Sequence, residues 1–440
     1  MRQDASITDR TDVTAAGATA TRSVLMIAFH FPPLSLSSGY LRPLKFAEYL
    51  PEHHWRAEIL TVDPRAHAPE SCLLNGPLKN HLRVHRAFAL DTRRHLSLFG
   101  RYPWSLAVPD RWWTWWLPAV LRGLRVVRQR RPAALLSTYP IPTAHLIGWT
   151  LHRITGIPWI AEFRDPMTDD IYHRNCVVRT ANRWIERVTL ERCAAAVFVT
   201  PSARIDYARR YPQVSPSKLV VIPNGYDHEA FAGLGSGRPA VPSPDRPLLL
   251  VHSGLLYPEE RDPRPFLAAL RTLKASGDVT ERSLRVVLRG SGHDDYYGRL
   301  IAEHGLADVV RLAPPVSYRD AIREMTAADG LLLFQAASLN LQIPAKAYEY
   351  LGARRPIFAL TDPAGDTAAM LTAAGVGCIA RLDSEEDICT KLRPFLEALR
   401  CGNAPVAKEL EIARQSRRAR TAALADLLDT VVASCAAVKA

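Results

Sequence analysis

The chain has no apolar run approaching the roughly 18–20 residues that cross a bilayer. Residues 1–22, rich in Thr, Ala and Asp, lack the apolar core of a secretory leader. A tail without ordered structure over 1–22 and a cytoplasmic location are therefore expected. Seven cysteines, at 72, 176, 193, 378, 389, 401 and 435, form no CxxC pair and no zinc spacing. Their odd number reads as reduced thiols. No carboxylate pair and no metal-ligand cluster stands out, so neither a metal nor a cofactor is expected. Acidic residues are in deficit, 44 Asp plus Glu against 56 Lys plus Arg, a net charge of +12. That excess attracts something anionic, whether nucleotide, phosphate-bearing lipid, membrane surface or nucleic acid, and the sign does not choose among them. Nucleic acid is not expected as a partner.

With 440 residues and 48% hydrophobic content the chain has material for two domains, each with its own core. Residues 23–30 (SVLMIAFH) form a strand-length apolar run, followed by a glycine-containing loop and then helical spacing at Leu44, Ala47 and Leu50. Strand, glycine loop and helix make a Rossmann-like opening. Gly39 would let backbone approach a diphosphate, and Arg42, where the helix begins, could neutralise it. A plain turn fits the same residues. Further strands are expected over 57–62, 82–88, 133–138, 157–163, 195–200 and 218–222, with helices over 142–155, 182–193 and 201–211. The run at 157–163 ends in Arg164 and Asp165, at the mouth where α/β folds bind ligands. A salt bridge or a helix cap by Asp165 is the competing account.

The interval 102–131 is the least ordinary in composition. It holds Trp104, Trp112, Trp113, Trp115 and Trp116, then Arg111, Arg122, Arg125, Arg128, Arg130 and Arg131, with Asp110 as the nearby acid. Leu117, Val120, Leu121, Leu124 and Val127 are expected on one helix face. Rings beside arginines on an apolar face suit an anionic membrane surface; a core helix with a solvated basic face suits the same pattern. Asn224-Gly225 is a turn, and the Gly, Pro, Ser and Ala of 226–245 read as a linker.

The second half restarts with a strand over 247–252, Gly254, and a loop bearing Arg261 and Arg264. Strands are expected over 284–288, ending at Gly290-Ser291-Gly292, and over 309–312 and 330–334. The stretch 341–360, LQIPAKAYEYLGARRPIFAL, is the centre of the reading. A helix starting at Pro344 loses nothing by the missing N–H and leaves the amides of Ala345 and Lys346 free for a phosphate. Glu349, one turn on, could accept hydrogen bonds from a ribose diol. Gly352 is expected to stop the helix before a strand over 356–360. The same residues are also ordinary α/β punctuation.

The run PAKAYEYLGARRPI resembles the donor-binding segment of retaining glycosyltransferases of the GT-B fold, those of family 4, and the resemblance extends in order over most of the chain. It implies an α/β fold of the GT-B type, two Rossmann-like α/β/α domains facing each other across a cleft. The divisions are an acceptor domain at 23–225, the linker, a nucleotide-sugar domain at 246–408, and C-terminal helices at 409–440 packing back toward the first domain. The implied activity is hexosyl transfer with retention, from a nucleotide-sugar to a hydroxyl acceptor; the Trp and Arg of 102–131 suggest that this acceptor is a saccharide or lipid-linked saccharide of polysaccharide or cell-envelope biosynthesis. Peripheral contact with the inner face of the plasma membrane would follow from 102–131.

Carried over by position, Arg164, Asp165, Arg261 and Lys346 take the catalytic roles. Gly39, Arg42, Gly254, Arg264, Gly290, Val316, Ala345 and Glu349 take donor-binding roles. Two departures stand out. Leu255 follows Gly254 where the family has arginine, and Leu341 occupies the place of a glutamate eight positions before Glu349. A catalytically silent nucleotide-sugar- or glycan-binding partner, and a non-hydrolysing nucleotide-sugar epimerase on the same fold, are the rival readings.

Overall fold

Short apolar runs, each followed by a helix, build strands that are buried on both faces and hence lie in parallel sheets. In the computed structural model the described residues are 21–34, 38–68, 71–72, 78–99, 101–168, 175–234, 241–258 and 260–439. Most of the expected tail, 1–20, and part of the expected linker, 235–240, lie outside them, while Arg22 already belongs to the first strand. The strands are β1 Arg22–Ala28, β2 Trp55–Val62, β3 Arg83–Ala87, β4 Ala134–Thr138, β5 Trp159–Phe163, β6 Ala195–Phe198 and β7 Leu219–Val221. After the change of domain come β8 Leu248–Ser253, β9 Leu284–Arg289, β10 Val310–Ala313, β11 Gly330–Phe334, β12 Ile357–Leu360 and β13 Ile379–Ala380.

The first seven form one sheet in the order β3-β2-β1-β4-β5-β6-β7, and the last six another in the order β10-β9-β8-β11-β12-β13. All the strand pairings are parallel, as between Ile27 and Ser137 or Leu331 and Val251. Val24, Leu25, Met26, Ile27 and Ala28 are fully buried, as a central strand covered on both sides requires. In each sheet the order reverses beside its first strand, between β1 and β4 and between β8 and β11. A crevice opens at the carboxyl ends there.

Three local expectations change. The nine-residue helix Ala345–Ala353 has Pro344 as its N-cap, one residue outside the helix, and it runs through Gly352 to a left-handed Arg354 at φ 54°. Gly352 is needed for packing, since a Cβ there would lie 2.6 Å from the Tyr226 ring. In the helix Trp116–Arg130 the buried positions are Ala119, Val120, Gly123 and Val126, whereas Leu117 and Leu121 are 54% and 50% exposed. The stripe is rotated because Gly123 admits Leu151 of the neighbouring helix: a Cβ would meet that side chain at 2.7 Å. The tryptophans divide likewise, with Trp112 and Trp115 in the core and Trp104 and Trp113 exposed. Among the described residues no helix is long and apolar enough to cross a membrane.

The chain passes between domains twice, side by side. Tyr226 pairs with Ser416 in a parallel bridge, its N–H donating to Gln415 O at 3.1 Å and its carbonyl accepting from Arg417 N at 2.8 Å. Gly225 permits this contact, because a Cβ would sit 2.6 Å from Gln415 O. The helix Arg417–Lys439 then lies on the first domain. Leu424, Ala425, Leu428 and Val431 join the core of Val24, Met26, Phe46, Ala57 and Ile59. Across the cleft, Thr200 Oγ1 donates to Leu341 O at 2.7 Å and Ser202 N to Asp366 at 2.9 Å.

Candidate active site

The second-domain half is built on the Ala345–Ala353 helix. Its N-cap offers no side-chain acceptor, so the amides of Ala345 and Lys346 remain among the orphan donors of the helix end. Gly254, at φ +116°, ends β8 directly beneath Lys346, and a Cβ there would lie 2.1 Å from Nζ. The lysine thus folds over bare backbone. Burial lowers its pKa, opposed by Glu349 and assisted by Arg261. Arg261 donates to Leu255 O at 3.3 Å and lies 5.6 Å from the Tyr257 ring centroid. Two cations therefore share one corner, with a helix N-terminus beside them. Neither forms an ion pair closer than 4 Å among the described residues.

Glu349 and Lys346 are each half-buried, so they are desolvated without being sealed off. Burial raises the Glu349 pKa, while Lys346, Arg417 and the Tyr318 hydroxyl favour its ionised form. Arg417 is 6% exposed, its Nε has no hydrogen-bond partner among the described residues, and burial lowers its pKa against the pull of Tyr318 and Glu349. Gly290, at φ +62°, donates to Ala313 O at 2.7 Å and brings the ends of β9 and β10 together, with Val316 exposed beyond them. Arg264 stands apart. It pairs with Asp262 at 2.6 Å and lines a separate cavity of about 700 Å³ with Asp362, Arg381 and Asp383.

The first-domain half is held by two buried arginines. Arg42 donates from Nε to Glu162 at 2.8 Å, from Nη1 to Pro223 O at 2.6 Å and from Nη2 to Ile222 O at 2.8 Å. The arginine expected to face a diphosphate is engaged inward, tying β5 to the exit from β7. Arg164 donates from Nε to Tyr139 O at 2.6 Å and from Nη1 to Gly39 O, binding together the loops after β4 and β1. Burial raises the pKa of Asp165, which Arg164 partly offsets. His30, after β1, is held neutral with a pKa of about 3 by burial and by Arg164, His67 and Arg111, and its Nδ1 has no hydrogen-bond partner among the described residues.

Electrostatic neighbours connect the halves. Arg164 senses both Arg42 and Arg417, Arg417 senses Glu349, and Glu349 senses Lys346. The structure therefore gathers Gly39, Arg42, Arg164 and Asp165 on one wall and Gly254, Arg261, Ala345, Lys346 and Glu349 on the other. Arg417, Tyr318 and His30 were missed in the sequence. His30 carried a usable sign, the last position of an apolar run at a sheet-order reversal, whereas Arg417 and Tyr318 reach the site only through tertiary packing. Leu341 contributes its carbonyl to Thr200. Chemically, the second wall offers cations and free amides for an anion beside a carboxylate suited to a diol.

Residues 42–225 match the family model described as the glycosyl transferase 4-like domain. No curated protein matches the chain in sequence. Among solved structures, sucrose-phosphate synthase from Thermosynechococcus elongatus superposes with a TM-score of 0.59 at 14% identity, over 95% of this chain and 98% of its own. WaaG, a glycosyltransferase involved in lipopolysaccharide biosynthesis, also gives 0.59 at 14% identity, over 92% and 99%. A UDP-N-acetylglucosamine 2-epimerase gives 0.53 at 12% identity, over 91% and 93%. Such likeness speaks to fold alone. The chain has the GT-B fold, two Rossmann-like domains across a cleft, with a match to the glycosyl transferase 4-like domain over 42–225.

Proposed function

We propose that the protein transfers a hexosyl group from a nucleotide-sugar to a hydroxyl of a saccharide or lipid-linked saccharide, with retention at the anomeric carbon. The observation that carries this reading is the corner where Lys346 and Arg261 meet the open helix end above Gly254, one turn from Glu349. Breaking the bond between the anomeric carbon and the diphosphate leaves its electron pair on a phosphate oxygen. Cations and amides already aimed there stabilise that charge without reorganising. The acceptor hydroxyl bonds to the same face of the oxocarbenium-like carbon, and its proton passes to the departing phosphate. Glu349 holds the ribose, Arg164 and Asp165 border the acceptor side, and no metal is required.

A thermal-shift series with UDP, GDP and ADP tests the donor half. One of them should stabilise the wild type, by about 2.7 kcal/mol at a hundredfold excess over its Kd. Glu349→Ala should lose most of that gain. If no nucleotide stabilises the wild type, the transferase reading fails. Leu341 and Leu255, standing where the family has charged residues, favour one alternative, a partner that binds donor without turning it over; measured transfer or donor hydrolysis separates the two.

We further propose that the first domain rests on an anionic membrane at the cytoplasmic face. Leu117, Leu121, Arg125 and Arg128 are exposed and fall on one face of their helix by their spacing, and Leu98, Phe99, Trp104 and Trp113 are exposed in the segment that precedes it. Vesicles of phosphatidylglycerol should retain the protein at low salt and release it as salt rises. Equal retention by neutral phosphatidylcholine would remove the electrostatic part of this proposal.

A further inference from the structure

The first domain contains a cavity of about 1010 Å³ at the carboxyl ends of β1 to β4, which the donor chemistry does not use. His30, His67, Arg93, Arg94, Arg111 and Trp112 line it. Its two carboxylates face inward. Asp110 accepts from Trp112 N, Thr143 N and Thr143 Oγ1 at 2.7–2.9 Å, and Asp91 accepts from Arg93 N at 3.0 Å, with Arg111 Nε at 3.7 Å. The guanidiniums are less committed. Arg93 is exposed and makes no side-chain pair among the described residues, and Arg111 stacks on Trp112 at 4.6 Å. Arg94 gives one N–H to His67 O. The buried Nδ1 of His30 has no partner among the described residues. The lining thus offers positive charge from two separate segments, Arg93 with Arg94 on one and Arg111 on the other.

We propose that this cavity binds a phosphate carried by the acceptor saccharide, an inference that rests on the transferase reading. A planar carboxylate is matched by one guanidinium fork, whereas a phosphate presents oxygens in several directions and draws donors from separate segments. A cavity of about 1010 Å³ leaves room for the saccharide beside that phosphate. The segment forming this wall also carries the exposed Phe99 and Trp104. The phosphate can therefore belong to a soluble phosphosaccharide or to a lipid-borne one.

Calorimetric titration with inorganic phosphate, glucose 6-phosphate, glucose and glucuronate tests this. Glucose 6-phosphate should bind about tenfold or more tightly than glucose or glucuronate, and Arg93→Ala and Arg111→Gln should each cost about tenfold. Arg271→Ala, an exposed arginine of the second domain, should change nothing. Arg93→Ala carries the test if Arg111→Gln proves unstable, because the exposed Arg93 side chain makes no hydrogen bond or ion pair among the described residues. Equal binding of glucose and glucose 6-phosphate, absence of binding by both phosphates, or indifference of both variants would overturn the proposal. Vesicles containing phosphatidic acid that displace glucose 6-phosphate identify a lipid source; failure to displace identifies a soluble one. The nucleotide response is read separately in the same variants and should be unchanged. Its absence from the wild type would strike the transferase reading, whereas its presence without phosphate binding would strike this inference alone.

Discussion

Lys346→Ala should lower turnover at saturating donor by about 10² to 10³, equivalent to about 2.7–4 kcal/mol of lost transition-state stabilisation. The size follows from where the ammonium lies. It is desolvated, so its interaction with a developing phosphate charge is weakly screened, and Gly254 beneath it leaves room for backbone but for no substituent. Arg261 and the open helix end remain in the variant, so nucleotide affinity should fall by less than turnover does. Quantified transfer under single-turnover conditions reads the first quantity and calorimetry the second. A loss of nucleotide affinity with unchanged turnover at saturation would make Lys346 a ground-state anchor for the nucleotide and remove it from the leaving-group site.

Arg42→Met should destabilise the fold by about 3–5 kcal/mol, because it leaves the carboxylate of Glu162 buried without its charged partner. Glu162 is 2% exposed and would keep one hydrogen bond, from the Thr138 hydroxyl at 2.7 Å, together with the more distant charge of Arg164. Two backbone carbonyls, of Ile222 and Pro223, would lose their donor as well. The double change Arg42→Met with Glu162→Gln should recover part of the loss, since no unpaired charge remains. Urea unfolding of the four proteins forms the cycle. A loss of stability with intact nucleotide affinity would fix Arg42 as a structural clamp, while lost affinity at unchanged stability would return it to the donor.

Much of the architecture was legible because buried parallel strands are written as short apolar runs. The strand at 330–334 and the helix at 142–155 coincide with the structure, and most other bounds differ by a few residues at an end. Periodicity failed at Trp116–Arg130 because the close approach of Leu151 to Gly123 chose among several acceptable apolar faces. Gly352 was read as a stop for an analogous reason: a glycine required by a ring packed against it looks identical in sequence to one required by a turn. For the site, Lys346 and Glu349 were visible because helix end and carboxylate lie within one segment. Arg417 was not, since its relation to Glu349 exists only after the chain has crossed back to the first domain. Arg42 shows the opposite difficulty. An arginine at a helix start beside a glycine loop suits an anionic ligand and a buried carboxylate equally, and the deciding partner, Glu162, is far along the chain.

The return of Arg417–Lys439 to the first domain has a consequence for biosynthesis. A ribosome completes the strands β1 to β7 long before it releases residues 417–439, and through that interval the apolar layer around Met26, Phe46 and Ile59 lacks Leu424, Leu428 and Val431. The nascent first domain must therefore wait with an uncovered flank until residues 417–439 have left the ribosome, exposed to chaperones and to aggregation. A premature stop just before Arg417 would leave both sheets intact and yet strip the earlier-made half of its cover.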